Sequence, residues 1–324
     1  MKAIRVRGVG GPELLTLEDV EKPQAGPGQA VVQIKAAGLN FIDVYFRKGL
    51  YPSAQPYTPG QEAAGVVESV GAGVSHVRPG DRVAWAGGPG SGTYAQFASV
   101  AAGRLIKIPE SLDFKQAAAA MLQGMTAHYL THSTYAVQKG DWCLVHAAAG
   151  GVGLLMCQLI RRLGGRAIGT AGSQQKAALA REAGAEAVVL YQKEDVVAEV
   201  KKITGGAGVK AAYDSVGKDM YLKSLECLAP RGMLVLYGQS SGPVPPIDPQ
   251  LLNQKGSVFL TRPSLAHYTA AREELEQRAG DVLGWIAAGQ LELRIDSEFA
   301  LERAADAHRK LEGRQTAGKV LLIP

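Results

Sequence analysis

The sequence predicts an α/β protein of two domains, a mainly-β domain followed by a doubly wound domain on a six-stranded parallel sheet. Three observations carry this. A chain of 324 residues exceeds one ordinary core, and 46% apolar with 20% charged residues is a globular composition rather than a disordered one. Up to about residue 110 the apolar runs are short, β-branched and bounded by Gly, Pro or Asp. Beyond about residue 115, strand-like runs alternate with amphipathic helical stretches.

In the first part, AVVQIKAAGLN, EAAGVVESVG and DRVAWAG read as antiparallel strands joined by tight turns. DFKQAAAAMLQGMTAHYLTHSTY is helical in composition, with Gly124 as its main interruption. The six strands that follow are WCLVHAA, RAIGTA, EAVVLY, KAAYDSV, GMLVLYG and SVFLT. Helical stretches at Val152 to Leu163, Gln174 to Ala183, Asp195 to Ile203 and Asp219 to Leu228 separate the earlier ones, as parallel strands with crossover helices require. The tail predicts one long helix over 268–288, a strand in LELRIDSEF, a helix in ERAADAHRKLEG and a last strand in KVLLIP. It is expected to return to the first domain. The boundaries are therefore placed at 1–122 with 265–324 for the first domain and 123–264 for the second.

At the first strand-to-helix turn stands Ala148-x-Gly150-x-x-Gly153. Gly150 and Gly151 let the backbone approach a pyrophosphate, and Gly153 lets the helix pack on its strand, while the helix N-terminus supplies N–H donors and positive dipole. A glycine turn without ligand is the alternative, and the six-strand context favours the dinucleotide. NAD-preferring sites end the second strand in Asp or Glu, about 20 residues past the first glycine, to bind the ribose 2′-hydroxyl. Here the segment reads Ile168-Gly169-Thr170-Ala171-Gly172-Ser173-Gln174-Gln175-Lys176. With no carboxylate there, and with Ser173 and Lys176 as donors to a 2′-phosphate, the expected cofactor is NADPH; otherwise Lys176 is a solvated cation in a helix's first turn.

Several classes are excluded or disfavoured. Cys143, Cys157 and Cys227 are far apart and read as buried packing residues, so they build neither a disulfide framework nor a zinc cluster. The net charge of +5 is spread along the chain, and without a basic, aromatic-interleaved surface nucleic acid is not expected. No apolar segment suits a signal peptide or approaches the roughly 18 residues of a membrane span, so a cytoplasmic protein with no membrane association is expected. The apolar edge strand SVFLT predicts a homodimer through the second domain.

The run Gly140-Asp141-x-x-Leu144-x-x-x-Ala148-Ala149-Gly150-Gly151-Val152-Gly153-x-x-x-x-Gln158-x-x-Arg161 resembles the signature of the quinone oxidoreductase, or zeta-crystallin, family of the medium-chain dehydrogenase/reductase superfamily. The likeness extends over GGPELL, GLNFIDVY, GLYP, PGQEAAG, GDRV, YDSVG, NQKGS and TRPSL, nearly the whole chain. It implies a GroES-like catalytic domain, a Rossmann domain, a cleft between them, and NADPH-dependent reduction of a quinone. An enone or enoyl reductase of the same superfamily is the alternative, and a non-catalytic NADPH- or RNA-binding crystallin-type protein a more distant one.

The resemblance also implies the site. The zinc-dependent branch takes one ligand from the cysteine of Gly-x-Cys-His-x-Asp and another from the histidine of Gly-His-Glu, where this chain has Asn40 and Gln61. Amides are poor zinc ligands, so no metal is expected, and Asp43 and Glu62 are left as structural hydrogen-bond partners. Without zinc, alcohol oxidation is hard to drive, whereas an electron-poor quinone needs chiefly positioning and donors for the developing anion. Asn40, Tyr45, Tyr51, Gln61 and Tyr129 are candidate donors, with Tyr45 and Tyr51 either stacking on a ring or packing the domain. Cofactor contacts are implied at Asn40, Phe41, Ile42, Asp43, Tyr45, Thr126, Tyr129, Gly150, Gly151, Val152, Gly153, Gly172, Ser173, Lys176, Tyr191, Ser215, Gly238, Gln239, Arg262, Ser264 and Arg314. Tyr191 ends strand three and Gly238 follows strand five, at the strand ends where open α/β sheets bind ligands.

Overall fold

Alternation of exposed and buried residues along one long strand organises the first of two compact units. The computed structural model describes residues 1–87 and 92–324, and these divide into Met1–Met125 with Tyr268–Pro324, and Thr126–His267. In chain order the first unit holds β1 (Lys2–Arg5), β2 (Thr16–Asp19), β3 (Gln29–Leu39), α1 (Phe41–Arg47), β4 (Glu62–Val70), β5 (Arg82–Ala86), β6 (Phe97–Ala101) and β7 (Ile106–Lys107), and α2 (Phe114–Tyr129) leads out of it. In β3, Gln33 and Lys35 face solvent while Val32, Ile34 and Ala36 are buried, the half-buried period of an antiparallel strand.

The second unit contains β8 (Trp142–Val145), α3 (Gly151–Arg162), β9 (Arg166–Ala171), α4 (Gln174–Glu182), β10 (Ala185–Leu190), α5 (Val196–Ile203), β11 (Val209–Asp214), α6 (Tyr221–Glu226), β12 (Leu228–Leu236), α7 (Pro249–Gln254) and β13 (Phe259–Thr261), and ends in α8 (Leu265–Tyr268). Its sheet has the order β10-β9-β8-β11-β12-β13, parallel throughout. This is the doubly wound order expected from the sequence. Leu144, Ile168, Val189, Ala212 and Leu234 make its core.

The chain then rejoins the first unit through α9 (Arg272–Ala287), β14 (Ile295–Ala300), α10 (Ala304–Glu312) and β15 (Lys319–Ile323). The first unit's main sheet runs β14-β15-β3-β4-β5-β7, with β6 also on β3. Strand β15 is antiparallel to β3, with Leu321 opposite Gly38, and Gly38 in turn lies opposite Glu62 of β4. That register gathers the head of α1, the start of β4 and the start of β15 at one end of the sheet. The core beneath includes Ile4, Ile34, Leu39, Val67, Trp85, Tyr94, Leu301 and Leu322.

Two elements differ from expectation for local reasons. The helix expected over 268–288 forms as α9 but starts four residues later, at Arg272, and arginine side chains hold the carbonyls of the turn before it. Arg278 Nε donates to the Tyr268 carbonyl at 2.7 Å, and Arg104 holds the Thr269 carbonyl and hydroxyl at 2.7 and 3.1 Å. The stretch after α2 widens into a π-helical turn at Leu130–Thr134, where Thr131 Oγ1 bonds back to the Ala127 carbonyl at 2.8 Å. Gly124, an apparent interruption, is needed for packing: a Cβ there would lie 2.5 Å from Val282 Cγ1 of α9.

Candidate active site

In the first unit, a knot of buried polar groups forms where α1 begins. Asn40 precedes the helix, and its backbone N–H donates to Asp43 Oδ2 at 2.9 Å, half of a capping box. Its amide nitrogen donates to Glu62 Oε1 at 2.6 Å, and its amide oxygen accepts from Lys319 Nζ at 2.9 Å and Gln123 Nε2 at 3.1 Å. Lys319 also pairs with Glu62 Oε1, and both side chains are almost wholly buried. The other Glu62 oxygen accepts the Leu122 N–H at 2.6 Å. Gly38 makes room for this, since a Cβ there would fall 2.3 Å from Glu62 Oε1. The glycine of GLNFIDVY is thus fixed by the carboxylate across the ladder.

Behind the knot, Tyr94 donates to Asp43 Oδ2 at 3.0 Å and lies 3.3 Å from His308 Nε2. Burial is the main influence on these groups. It raises Asp43 to about 7 against the stabilising bonds from Asn40 and Tyr94. It depresses Lys319, partly offset by Glu62, and takes His308 down to about 3, helped by the Arg47 charge. Arg47, fully buried, pairs with Glu312.

Of the remaining candidates of this unit, Phe41, Ile42 and Tyr45 lie on α1 and Tyr51 shortly follows it. Gln61 and Tyr45 are buried. Phe41, Ile42 and Tyr51 are half-buried. Tyr51 meets Tyr45 and Phe46 edge-on, at centroid separations of 5.6 and 5.4 Å, and Phe41 lies 6.3 Å from Tyr45. Arg314 is exposed in the left-handed conformation at φ 56°.

In the second unit the candidates converge on the carboxyl ends of the strands. Helix α3 starts from Gly150 with no side-chain cap, so its first N–H groups are left to an outside acceptor. A Cβ on Gly153 would lie 2.4 Å from the Ala147 carbonyl oxygen, which is why the helix needs glycine there. After β9, Gly172 faces the Tyr191 phenol, whose oxygen would be 2.7 Å from an added Cβ. Ser173 caps α4, its Oγ accepting the Lys176 N–H at 3.3 Å, and no acidic residue stands in that helix's first turn. Beyond β11 and β12, Gly238 packs on Ser215, a Cβ there falling 2.6 Å from the Ser215 carbonyl oxygen, with Gln239 next in sequence. Arg262 donates to the Leu236 carbonyl at 3.0 Å, and Ser264 is exposed. Thr126 and Tyr129, on α2, are buried.

Lys319, Gln123, Tyr94 and His308 were not legible as site residues. The only signal for Lys319 was a lysine heading the apolar run KVLLIP. Among the described residues, no group of three or more His, Cys, Asp or Glu side chains is arranged to hold a metal ion.

Comparison with known proteins fits this geometry. The zinc-binding dehydrogenase family matches residues 151–279 and the alcohol dehydrogenase GroES-like domain residues 26–110. A quinone oxidoreductase of Pseudomonas aeruginosa is 44% identical over 100% of this chain and 99% of its own. A 2-haloacrylate reductase of a Burkholderia species is 42% identical over 97% of this chain and 96% of its own. The crystal structure of Escherichia coli quinone oxidoreductase complexed with NADPH superimposes with a TM-score of 0.97 at 42% identity, all of each chain being covered. With its GroES-like and Rossmann parts and full-length relatives of this kind, the chain belongs to the quinone oxidoreductase family of the medium-chain dehydrogenase/reductase superfamily.

Proposed function

We propose that this chain is an NADPH-dependent quinone reductase that works without zinc. The observation that carries the reading is the buried knot of Lys319, Glu62 and Asn40, which stands where the zinc branch takes its first ligand. Zinc does not fit these residues. The Asn40 amide oxygen already faces an ammonium at 2.9 Å, and a divalent ion beside that charge in a dry site would be strongly repelled. Such a site does not ionise alcohols, and it suits an acceptor that is already electron-poor.

A dinucleotide does fit. The uncapped start of α3 offers the N–H groups of Gly151, Val152 and Gly153 to a pyrophosphate, and Gly150, without a side chain, lets it approach the backbone. Ser173 Oγ accepts from the Lys176 N–H and so keeps its own proton to donate, while Lys176 adds charge for a 2′-phosphate. Tyr191, Ser215, Gly238, Gln239, Arg262, Ser264 and Arg314 complete the proposed contacts, with Thr126, Tyr129 and residues 40–45. Bound there, NADPH supplies the hydride. Gln61, Tyr45 and Tyr51 are proposed to donate to the quinone oxygen as it gains charge, joined by the one amide proton that Asn40 does not give to Glu62.

The reading extends to assembly and location. Strand β13 is the sheet edge, and Phe259 on it is 58% exposed, which supports a homodimer through this edge. A cytoplasmic setting is supported by three buried, unpaired cysteines, and no helix among the described residues is long and apolar enough to cross a membrane. Reduction of an activated C=C bond is the second reading, favoured by the 2-haloacrylate reductase relative. Steady-state NADPH oxidation across a panel of quinones and enones tests both. The quinone reading expects the higher kcat/KM with quinones; turnover confined to enones would replace it with the second, and no turnover with either would overturn both.

A further inference from the structure

Four buried polar side chains beneath the phosphate loop are not used by the reading so far. His146 is fully buried at the end of β8. Its Nδ1 lies 3.1 Å from Thr170 Oγ1 and its Nε2 3.0 Å from Ser224 Oγ. Ser224 donates to Asp214 Oδ2 at 3.0 Å, and Asp214 Oδ1 accepts the N–H groups of Val216 and Gly217 at 2.7 and 2.9 Å. At the other end, Thr170 Oγ1 accepts the Ala147 N–H at 3.3 Å.

One placement of protons satisfies every member. The carboxylate of Asp214 only accepts, so Ser224 gives its proton there; donation to the Met220 carbonyl at 3.1 Å instead would leave a buried carboxylate oxygen without a donor. The Ser224 oxygen then accepts from His146 Nε2–H, which makes Nδ1 an acceptor for the Thr170 hydroxyl proton. Thr170 in turn uses a lone pair for the Ala147 N–H. Burial keeps His146 below the ordinary imidazole range against the opposing pull of Asp214, and Lys223 acts in the same direction as burial, so the ring is neutral, as this tautomer demands.

The chain of bonds ends on the residue that shapes the loop. Ala147 sits at φ 51°, in the left-handed region that a residue with a Cβ avoids. Its carbonyl accepts the Gly150 N–H at 2.8 Å and lies against Gly153, where a Cβ would come within 2.4 Å. The turn and the start of α3 are thus built around this one strained peptide, and strain of this kind persists only where neighbours hold it.

We infer that His146 is a positioning residue for the phosphate loop: through Thr170 it anchors Ala147 to the Asp214 turn and so aims the loop's N–H groups. This role presupposes the dinucleotide reading of the loop. Because the loop faces what NADPH and NADH have in common, loosening it weakens both alike, whereas a change at the 2′-phosphate contacts affects NADPH alone.

The test is fluorescence titration of NADPH and NADH with the wild type and with Thr170→Val, Thr170→Ser and His146→Phe. Thr170→Val keeps the shape and removes the hydroxyl, breaking both its bond to His146 and the one it accepts from the Ala147 N–H; this loss is expected to weaken both cofactors by at least about tenfold. The rate at saturating NADPH should stay within about twofold, as expected when binding common to ground and transition states is lost. Thr170→Ser should restore wild-type affinity, and His146→Phe, if it folds, should behave as Thr170→Val. A folded Thr170→Val that binds both cofactors like the wild type would overturn the inference, as would weakening of NADPH alone or failure of serine to rescue. If the wild type bound neither cofactor, the dinucleotide reading itself would fall, a result distinct from any of these.

Discussion

Lys319 and Glu62 show at the scale of single residues how a buried charge is kept. Each is nearly inaccessible, and removing one partner of such a pair leaves the other uncompensated, at a cost of about 3–5 kcal/mol. Lys319→Met should therefore destabilise by about that amount in urea unfolding, and adding Glu62→Gln should recover much of the loss, because the stranded carboxylate is gone. A double variant no more stable than Lys319→Met would contradict the pairing. His308 makes a pH prediction. Its folded-state value of about 3 is below the roughly 6.5 of an unfolded histidine, so the unfolded chain binds the proton first as pH falls. The stability this group contributes is present above pH 6.5 and lost progressively down to about 3. Each unit of pH costs about 1.4 kcal/mol. Asp43 has the opposite slope, since its raised value gives a contribution present below its unfolded range and lost as pH rises through about 7. Comparing His308→Phe with the wild type cancels the Asp43 effect common to both. The stability deficit of the variant should shrink by about 2–3 kcal/mol between pH 6.5 and 4.5; a deficit constant over that range would rule out a buried neutral imidazole. At the proposed 2′-phosphate site, Lys176→Ala should raise the NADPH Kd about 10-fold to 150-fold and leave NADH within about twofold. Equal weakening of both in a cofactor titration would remove Lys176 from that role.

At the scale of elements, the second unit was the more legible. Its strands are covered on both faces by helices, so they read as continuous apolar runs, and the helices between them fell within a few residues of expectation. The first unit was harder because its decisive contacts are made by pairing. Nothing near Lys319 in sequence announces Glu62, 257 residues away; only the antiparallel register of β15 on β3, and of β3 on β4, brings them together. The late start of α9 was hidden for a similar reason, since Arg104 and Arg278 hold the carbonyls of the turn before it and neither reads as a helix breaker. The edge strand β13 carries its own prediction. Phe259→Lys should place a charge on the exposed edge and convert a dimer to monomer in light scattering at micromolar concentration. A variant that keeps the wild-type mass would move the interface elsewhere.

At the scale of the whole molecule, the sequence pointed to the cofactor loop and to the replacement of the ligand positions by Asn40 and Gln61, but not to what compensates that replacement. The structure supplies a protein cation, Lys319, bonded to both Asn40 and Glu62. The proposed function requires this arrangement to support hydride transfer from NADPH to a quinone with no metal. The most direct measurement is NADPH-dependent quinone reduction by protein dialysed exhaustively against a zinc chelator, with metal content determined by elemental analysis on the same sample. The expected result is a rate equal to that of untreated protein with no zinc present and no gain on adding it back. Activity lost with the zinc and regained with its return would contradict the account.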